Sequence, residues 1–404
     1  MTARVLNPGH RRFVPVVLGL YAACRLVTTA ILWLVAQRQV PSGMTGGDGV
    51  PVTYWSFTAL WDGQWYQRIA EGGYPTVLPV TESGKVGENP WAFYPLFPFS
   101  ARVLMGATGG SFPVVASLLA LACGFGAAVL LGLLLRDRLG APAAYAVVVL
   151  WASFPASVTL QLAYTESLAM LLLAAYLYAL ARERWAVAAA VALLVGLARP
   201  IAVPLGLVTL VVVVLRWRAR AVRPIPRTQY AAMLGLLVAC AIAGLLWPAL
   251  AWWRTGSATA YTDTMAAWRA YDSVQPFVPW LDKARWLLGE TWGPVWLLVL
   301  VLVLVAMVAG PWAGALGADL RAWSLGYPAY LAAVLDPFTS IFRYLVPLFP
   351  LLAVLVGAGW ADRRGSTWRR LLARSAPLLV LFVVGQWWWT DELWRFVPPS
   401  DYPP

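Results

Sequence analysis

An aspartate set among flat aromatic rings is the part of this sequence best equipped for chemistry. It lies in Trp61-Asp62-Gly63-Gln64-Trp65-Tyr66, followed by Gln67-Arg68-Ile69-Ala70-Glu71-Gly72-Gly73-Tyr74. On a helix, Asp62 has Trp65 and Tyr66 one turn further on, at i+3 and i+4, and Trp61 stands beside it. Aromatic faces stack on the C–H faces of sugars, and a carboxylate accepts a hydroxyl proton. The group therefore suits carbohydrate chemistry. It suits equally an aromatic belt at a membrane interface with a solvated acid.

A carboxylate that handles a charged substrate needs a cation. Arg68 is six residues from Asp62, about 240° around a helix, and so on another face. The cation must come from further away. Arg343, in Ser340-Ile341-Phe342-Arg343-Tyr344, and Arg199, before Pro200, offer planar forks that match a phosphate, although an arginine at a span end can also simply snorkel. Arg25 sits midway along an apolar segment, where a charge is costly, and is expected to pair with Glu166 or Asp336. Glu166, in Tyr164-Thr165-Glu166-Ser167, lies at a break between apolar segments. It reads either as a site residue or as the start of a helix, with Thr165 as cap and Glu166 at the positive dipole end. The rigid run Trp91-Ala92-Phe93-Tyr94-Pro95-Leu96-Phe97-Pro98 is an interface belt or the wall of a lipid groove.

Other chemistries are excluded by what is missing. His10 is the single histidine and sits on the N-terminal tail, so a histidine triad or multi-histidine metal site on the far side of a membrane cannot form. Cys24, Cys123 and Cys240 lie in apolar segments and read as small buried hydrophobes, without a disulfide framework. No metal and no cofactor is expected. Acid–base work falls to a carboxylate, a tyrosine, or one of the lysines, Lys85 and Lys283.

The elements that must position these residues are membrane helices. Of 404 residues, 61% are hydrophobic and 12% charged, against about 25% charged in a soluble domain. Runs such as Leu205 to Leu215 and Leu297 to Ala309 predict an all-α polytopic membrane protein. The net charge of +12 does not indicate nucleic acid, because the arginines collect at span borders: Arg4, Arg11 and Arg12; Arg216, Arg218, Arg220, Arg223 and Arg227; Arg363, Arg364, Arg369, Arg370 and Arg374. That is the positive-inside pattern, with anionic lipid as the contact.

The first span, about 14–37, is too long for a signal peptide and reads as an uncleaved anchor with its N-terminus inside. A long polar loop, 38–92, follows. Its cations (Arg38, Arg68, Lys85) are outnumbered by its anions (Asp48, Asp62, Glu71, Glu82, Glu88), which favours the outside. Within it, Tyr54 to Ala70 predicts one surface helix, ended by Gly72-Gly73 and Pro75. The segment 93–105 reads as re-entrant or interfacial. Further spans are expected near 113–135, 142–161, 165–181, 185–199, 200–215, 229–253, 292–310, 323–336, 340–360 and 375–390, about eleven in all, with a second outside loop at 254–291 carrying Asp263, Asp272, Asp282, Lys283, Arg285 and Glu290. The two outside loops are too short to fold alone and are expected to pack on each other. The whole chain, 1–404, reads as one transmembrane domain.

The motifs in this order, Trp61-Asp62 with Ile69 to Tyr74, then Ala92 to Pro98, then Tyr164 to Ser167, resemble the PIG-V-type mannosyltransferases of the GT-C class of membrane glycosyltransferases. Arg343-Tyr344 and Pro347 to Pro350 extend the resemblance. Where eukaryotic members read Arg-Ser-Asn-Gly, this chain has Arg199-Pro200-Ile201-Ala202. The resemblance implies a GT-C-like bundle in the plasma membrane. It also implies transfer of mannose from polyprenyl-phosphate-mannose to a glycolipid or glycan acceptor on the outer face, with Asp62 as base. Arg343 and Arg199 would then hold the donor phosphate, and Trp61, Trp65, Tyr66, Tyr94, Tyr164, Glu166 and Tyr344 would line the substrate site. A transporter or flippase of a lipid-linked sugar is the alternative, and a scaffold for envelope synthesis is a third reading.

Overall fold

Long apolar runs with no water to satisfy their backbone must hydrogen-bond within themselves, and the chain does so as helix. The computed structural model describes residues 8–47, 49–269, 273–360, 368–399 and 403–404, with side chains from Arg12 onward. Arg4, Asp48, Asp272, Arg363 and Arg364 lie outside the described residues, and the side chains of His10 and Arg11 precede the described ones. In chain order the helices are α1 (Pro8–Ala36), α2 (Tyr54–Thr58), α3 (Asp62–Gly72), α4 (Leu96–Thr108), α5 (Phe112–Leu139), α6 (Ala141–Ser153), α7 (Glu166–Ala181), α8 (Trp185–Val195), α9 (Ala202–Arg218), α10 (Arg227–Thr255), α11 (Ala260–Ala266), α12 (Val278–Leu288), α13 (Trp292–Ala309), α14 (Gly317–Val334), α15 (Ile341–Leu345), α16 (Phe349–Leu355) and α17 (Trp368–Trp388). No β-strand occurs among the described residues.

Among the described residues, six helices are long and apolar enough to cross a membrane: Arg12–Ala36, Phe112–Leu139, Ala202–Ala221, Arg227–Thr255, Trp292–Ala309 and Trp368–Trp394. A seventh crossing arises if α6 and the tight helical segment Pro155–Gln161, bent by 84° from it, form one span. The sequence expectation was about eleven. Of the remaining expected spans, α7, α8 and Ile341–Leu355 are short, and α14, though 18 residues long, is too polar, with Asp319 and Arg321 in it. α7 has 16 residues and α8 has 11, about 24 and 17 Å at 1.5 Å per residue, against a hydrocarbon core of about 30 Å. α7 can be short because it is enclosed: it packs between α5 and α8 and also touches α14, and Ala169, Leu173, Tyr176, Leu177 and Leu180 are all buried.

The bundle has two chemically different ends. At one end, where α5, α7 and α9 finish, arginines tie the helices together. Arg138 forks onto Asp319 at 2.6–2.7 Å, Arg182 reaches Asp137 at 2.7 Å, and Glu183 takes Arg223 at 2.7 Å and Arg216 at 3.5 Å. At the other end, where α7 and α9 begin, lie the tryptophans, tyrosines and acids of the 38–92 and 254–291 loops. These loops do pack on each other. Asn89 donates to Thr264 at 2.9 Å, Trp247 donates to the Trp91 carbonyl at 3.0 Å, and Tyr94 and Tyr261 share a hydroxyl contact at 3.2 Å.

Two expectations are corrected. The single surface helix 54–70 is split into α2 and α3 by a turn at Leu60–Gly63. Arg25 does not pair with Glu166: its guanidinium donates to the backbone carbonyls of Ser157, at 2.7 Å, and Ala152, one in the tight helical segment Pro155–Gln161 and one in the last turn of α6.

Close backbone approach sets α8 against α10. A Cβ at Gly196 would lie 2.5 Å from the Ala243 carbonyl oxygen and 2.8 Å from its Cα, whereas one at Gly235 would meet nothing within 4 Å. Gly196→Ala is expected to cost about 1–3 kcal/mol through forced displacement of α10, read as a lowered thermal midpoint of the detergent-solubilised protein. Gly235→Ala serves as the control and is expected to leave the midpoint unchanged or raise it.

Candidate functional site

The site begins with a strained turn. Leu60 accepts a hydrogen bond from the Gly63 N–H at 3.0 Å, and Trp61 between them has φ 56° and ψ −122°. This is the first central position of a type II′ turn, ordinarily glycine. A tryptophan there costs roughly 1–3 kcal/mol and persists only if its surroundings impose it. They do. Trp61 is buried, its Nε1 donates to the Trp394 carbonyl at 2.7 Å, and its ring meets Phe396 edge-on at 5.5 Å. Trp394 in turn donates to the Phe57 carbonyl at 2.9 Å. The turn makes Asp62 the first residue of α3, where a carboxylate is favoured by the helix dipole. Its backbone N–H donates to the Tyr164 hydroxyl at 3.0 Å.

The Asp62 side chain meets Arg343, from α15: Oδ2 accepts from Nη1 at 2.7 Å. The same Nη1 lies 3.3 Å from Glu166 Oε1, and that oxygen forms an ion pair with Arg199 Nη2 at 3.0 Å. Two acids and two arginines from four distant segments thus form one chain, Asp62–Arg343–Glu166–Arg199, formally neutral. Side-chain exposure falls from 17% at Asp62 through 11% at Arg199 and 5% at Arg343 to 2% at Glu166, so Asp62 is the member open to a substrate. Glu166 is the first residue of α7, as expected. Thr165 makes no capping bond from its side chain; instead its hydroxyl faces the Ala198 carbonyl at 3.4 Å, tying α7 to the segment that carries Arg199. Glu166 Oε2 and Arg343 Nε are buried without a protein partner. Glu166, Arg343, Arg199 and Tyr327 line a cavity of about 10 Å³, roughly enough for one water.

Aromatic rings frame the ions. Arg343 lies 5.2 Å from the Tyr164 ring centre and Arg199 lies 5.1 Å from that of Tyr344. Tyr66 packs edge-on to Tyr164, Phe93 and Phe97. Burial first, then the charges of Glu166 and Asp62, pushes the Tyr66 phenol well above its usual 10. Burial and the Asp62 charge do the same to Tyr164. Both remain neutral hydroxyls at any physiological pH.

Of the residues singled out in the sequence, Asp62, Arg343, Glu166, Arg199, Tyr164, Tyr344 and Tyr66 converge. Trp65 stands at the border, stacked on Phe93 at 5.7 Å and edge-on to Trp268 at 5.5 Å, with the Arg68 guanidinium 4.6 Å from its ring centre. Trp61 lies behind the site as an anchor. Tyr94 belongs to a neighbouring cluster with Trp247 and Tyr261. Sequence reasoning missed Trp394, Tyr327 and Trp268. The first was marked only by the density of tryptophan in Trp387-Trp388-Trp389-Thr390-Asp391-Glu392-Leu393-Trp394, whose last six residues close as a π-helical turn, a rare form often found at functional sites.

No protein-family model and no curated protein matches this chain.

Breaking a buried ion chain from its centre is expensive, because it strands the remaining charges. Glu166→Gln leaves two arginines facing one acid and is expected to cost about 3–5 kcal/mol of stability. Adding Arg199→Met restores neutrality and should recover part of the loss, and the coupling is read from the thermal midpoints of the two single variants and the double variant.

Proposed function

We propose that this chain is a polyprenyl-phosphate-sugar-dependent glycosyltransferase of the GT-C type, acting at the outer face of the plasma membrane. The proposed reaction moves mannose, with inversion, from polyprenyl-phosphate-mannose to a glycolipid or glycan acceptor. The convergence of Asp62 and Arg343 at 2.7 Å, inside an aromatic frame at the end of a bundle of apolar helices, is the observation that carries this reading. It supplies a base and an anion receptor side by side, as displacement at a sugar phosphate requires. The sugar and the donor class come from the motif resemblance described above.

In this mechanism Asp62 Oδ takes the proton of an acceptor hydroxyl while that oxygen attacks the anomeric carbon. The bond from the anomeric carbon to the phosphate oxygen breaks, and its electron pair leaves with the polyprenyl phosphate. The departing phosphate gains one negative charge, which Arg343 and Arg199 face and stabilise. A phosphate leaves readily, so no strong general acid is required. Glu166, 2% exposed, works through the arginines: it holds both guanidinium groups beside Asp62. Trp65, partly exposed at the border of the site, is the ring placed to meet the sugar, and buried Tyr66 backs the site.

The ion pair also restrains the base. While Oδ2 is bonded to Arg343, its lone pair is engaged by the guanidinium. A donor phosphate that takes over Arg343 releases Asp62, so that the base is presented to a hydroxyl when the donor is bound.

A positioned base contributes about 10²–10⁴-fold. Asp62→Asn is therefore expected to lose transfer by that factor, with a fall in thermal midpoint smaller than that of Glu166→Gln because Asp62 is 17% exposed; transfer is measured by mass spectrometry of new glycosidic bonds formed by purified, folded protein in vesicles. Near-normal turnover by Asp62→Asn would refute the assignment. Movement of lipid-linked sugar across the vesicle wall with no new bond would favour the transporter reading instead.

A further inference from the structure

The last span meets the bundle unevenly. Within α17 only Leu371 and Gln386 are buried, and Leu372, Val380, Leu381 and Val384 stay 58–65% exposed. Apolar packing therefore does little to seat this helix. The grip is concentrated at its end and in the π-helical turn beyond, where Trp389, Thr390, Asp391 and Trp394 are buried. Part of that grip is polar: the Thr28 hydroxyl of α1 donates to the Gln386 side chain at 2.9 Å.

Asp391, 8% exposed, has both carboxylate oxygens in use. Oδ2 accepts from Arg38 Nη1 at 2.6 Å, and Oδ1 accepts from Arg395 Nε at 3.0 Å. Arg38 lies just past the end of α1. Its neighbour Gln39 accepts from the Phe396 N–H and donates to the Phe396 carbonyl, both at 2.9 Å. One acid and one amide thus clasp the end of α1 to the segment after α17. Trp394 sits between these two ties. Its carbonyl receives the Trp61 indole at 2.7 Å, and its own indole donates to the Phe57 carbonyl at 2.9 Å. Trp61 is the residue held at φ 56°, and Asp62 follows it. The clasp shares no residue with the ion chain Asp62–Arg343–Glu166–Arg199.

We infer that Asp391 is a positioning residue for the proposed transfer: it holds the Trp394 carbonyl where Trp61 reaches it, and so sets the direction of the Asp62 carboxylate. The role in transfer rests on the proposed function; the mechanical link from Asp391 to the Asp62 turn does not. The link follows from charge and strain. Without the carboxylate, the Arg38 and Arg395 guanidinium groups are left without their shared anion, and the turn that carries Trp394 loses its hold on the end of α1. The Trp394 carbonyl then withdraws from Trp61. A strained non-glycine residue relaxes once its surroundings no longer impose the conformation, and Asp62, the first residue of α3, turns with it.

The test uses the full-length protein in vesicles and takes two readings. The first is hydrogen exchange at the Gly63 and Gln64 amides, which bond to the Leu60 and Trp61 carbonyls. The second is transfer from polyprenyl-phosphate-mannose to octyl mannoside. In Asp391→Asn both amides are expected to exchange about tenfold faster, the worth of one hydrogen bond. Its kcat is expected to fall about 10–100-fold, as a misplaced catalytic group does, with KM for the donor changed by less than about threefold. Asp391→Glu, which keeps the anion, should recover most of both. Arg38→Gln leaves Arg395 on Asp391 and should give smaller effects of the same sign; it carries the test if Asp391→Asn does not fold. Gly359→Ala is the stability control: a Cβ there would lie 2.5 Å from the Trp312 carbonyl oxygen, at the arginine-tied end of the bundle. Unchanged exchange in the Asp391 and Arg38 variants would overturn the inference. So would equal losses of protection and of kcat in Gly359→Ala, which would leave Asp391 a stabilising residue only. Retained transfer by Asp62→Asn would remove the transferase reading and leave the exchange link intact. Loss of transfer by Asp62→Asn without that link would remove only the positioning role.

Discussion

Everything at the candidate site depends on keeping the guanidinium of Arg343 charged and buried between two carboxylates. An arginine 5% exposed cannot shed its proton to escape the cost of burial, so anions must be brought to it. Asp62 and Glu166 supply them, and Arg199 balances the second. Four segments separated by up to 281 positions in sequence are thereby obliged to meet at one point. Buried ion pairs add little net stability. They do penalise any arrangement in which one member is missing, and so act as a registration device for the end of the bundle.

The helix breaks around this point follow from the same demand. A straight span through the site would bury its polar groups within its own ladder and present only side chains. Instead, α6 turns by 84° at Phe154-Pro155, α7 begins at Glu166, and α9 begins just after Arg199-Pro200. Helix starts expose N–H groups and a positive dipole end, which suits carboxylates at the first position of α3 and of α7. Irregular backbone at membrane depth is tolerable only where protein surrounds it. Here α5, α8, α14 and α17 pack around these breaks. The carbonyls of Ala152 and Ser157 on either side of the bend accept from Arg25, and the Gln386 amide also reaches Ala152 and Phe154.

Much of this was legible in the sequence, for identifiable reasons. The all-helical class follows from composition. Asp62 stood out because acids are scarce and this one had aromatic neighbours. The 240° offset of Arg68 directed the search for a cation elsewhere, to Arg343 and Arg199, whose forks and places at span ends made them candidates, and both join the ion chain. Three things were not legible. The turn at Trp61 was hidden because a positive φ is signalled by glycine, and here a tryptophan is forced into it by a carbonyl 333 positions away. Arg25 was given an acid because a mid-span charge suggests one; backbone carbonyls on either side of a distant bend leave no trace in the local sequence. Span counting failed for α7, α8 and Ile341–Leu355 because hydropathy registers apolarity, not length. A short helix enclosed by protein reads the same as a long one facing lipid.

The division of labour between the two acids follows from the chain's own geometry. Both carboxylates touch the same Nη1 and both begin helices, so residue type and local sequence do not separate them. Exposure does: Asp62 hangs from a strained surface turn, and Glu166 from a buried helix start. Strain at Trp61 has a use in this arrangement. A glycine would relieve the turn, but it would also free Asp62 from the Trp394 carbonyl that fixes its direction. A tryptophan locks the start of α3 to the π-helical turn after α17, so the orientation of the Asp62 carboxylate is set by the closed bundle. Asp62 therefore takes up its position only once α17 has docked.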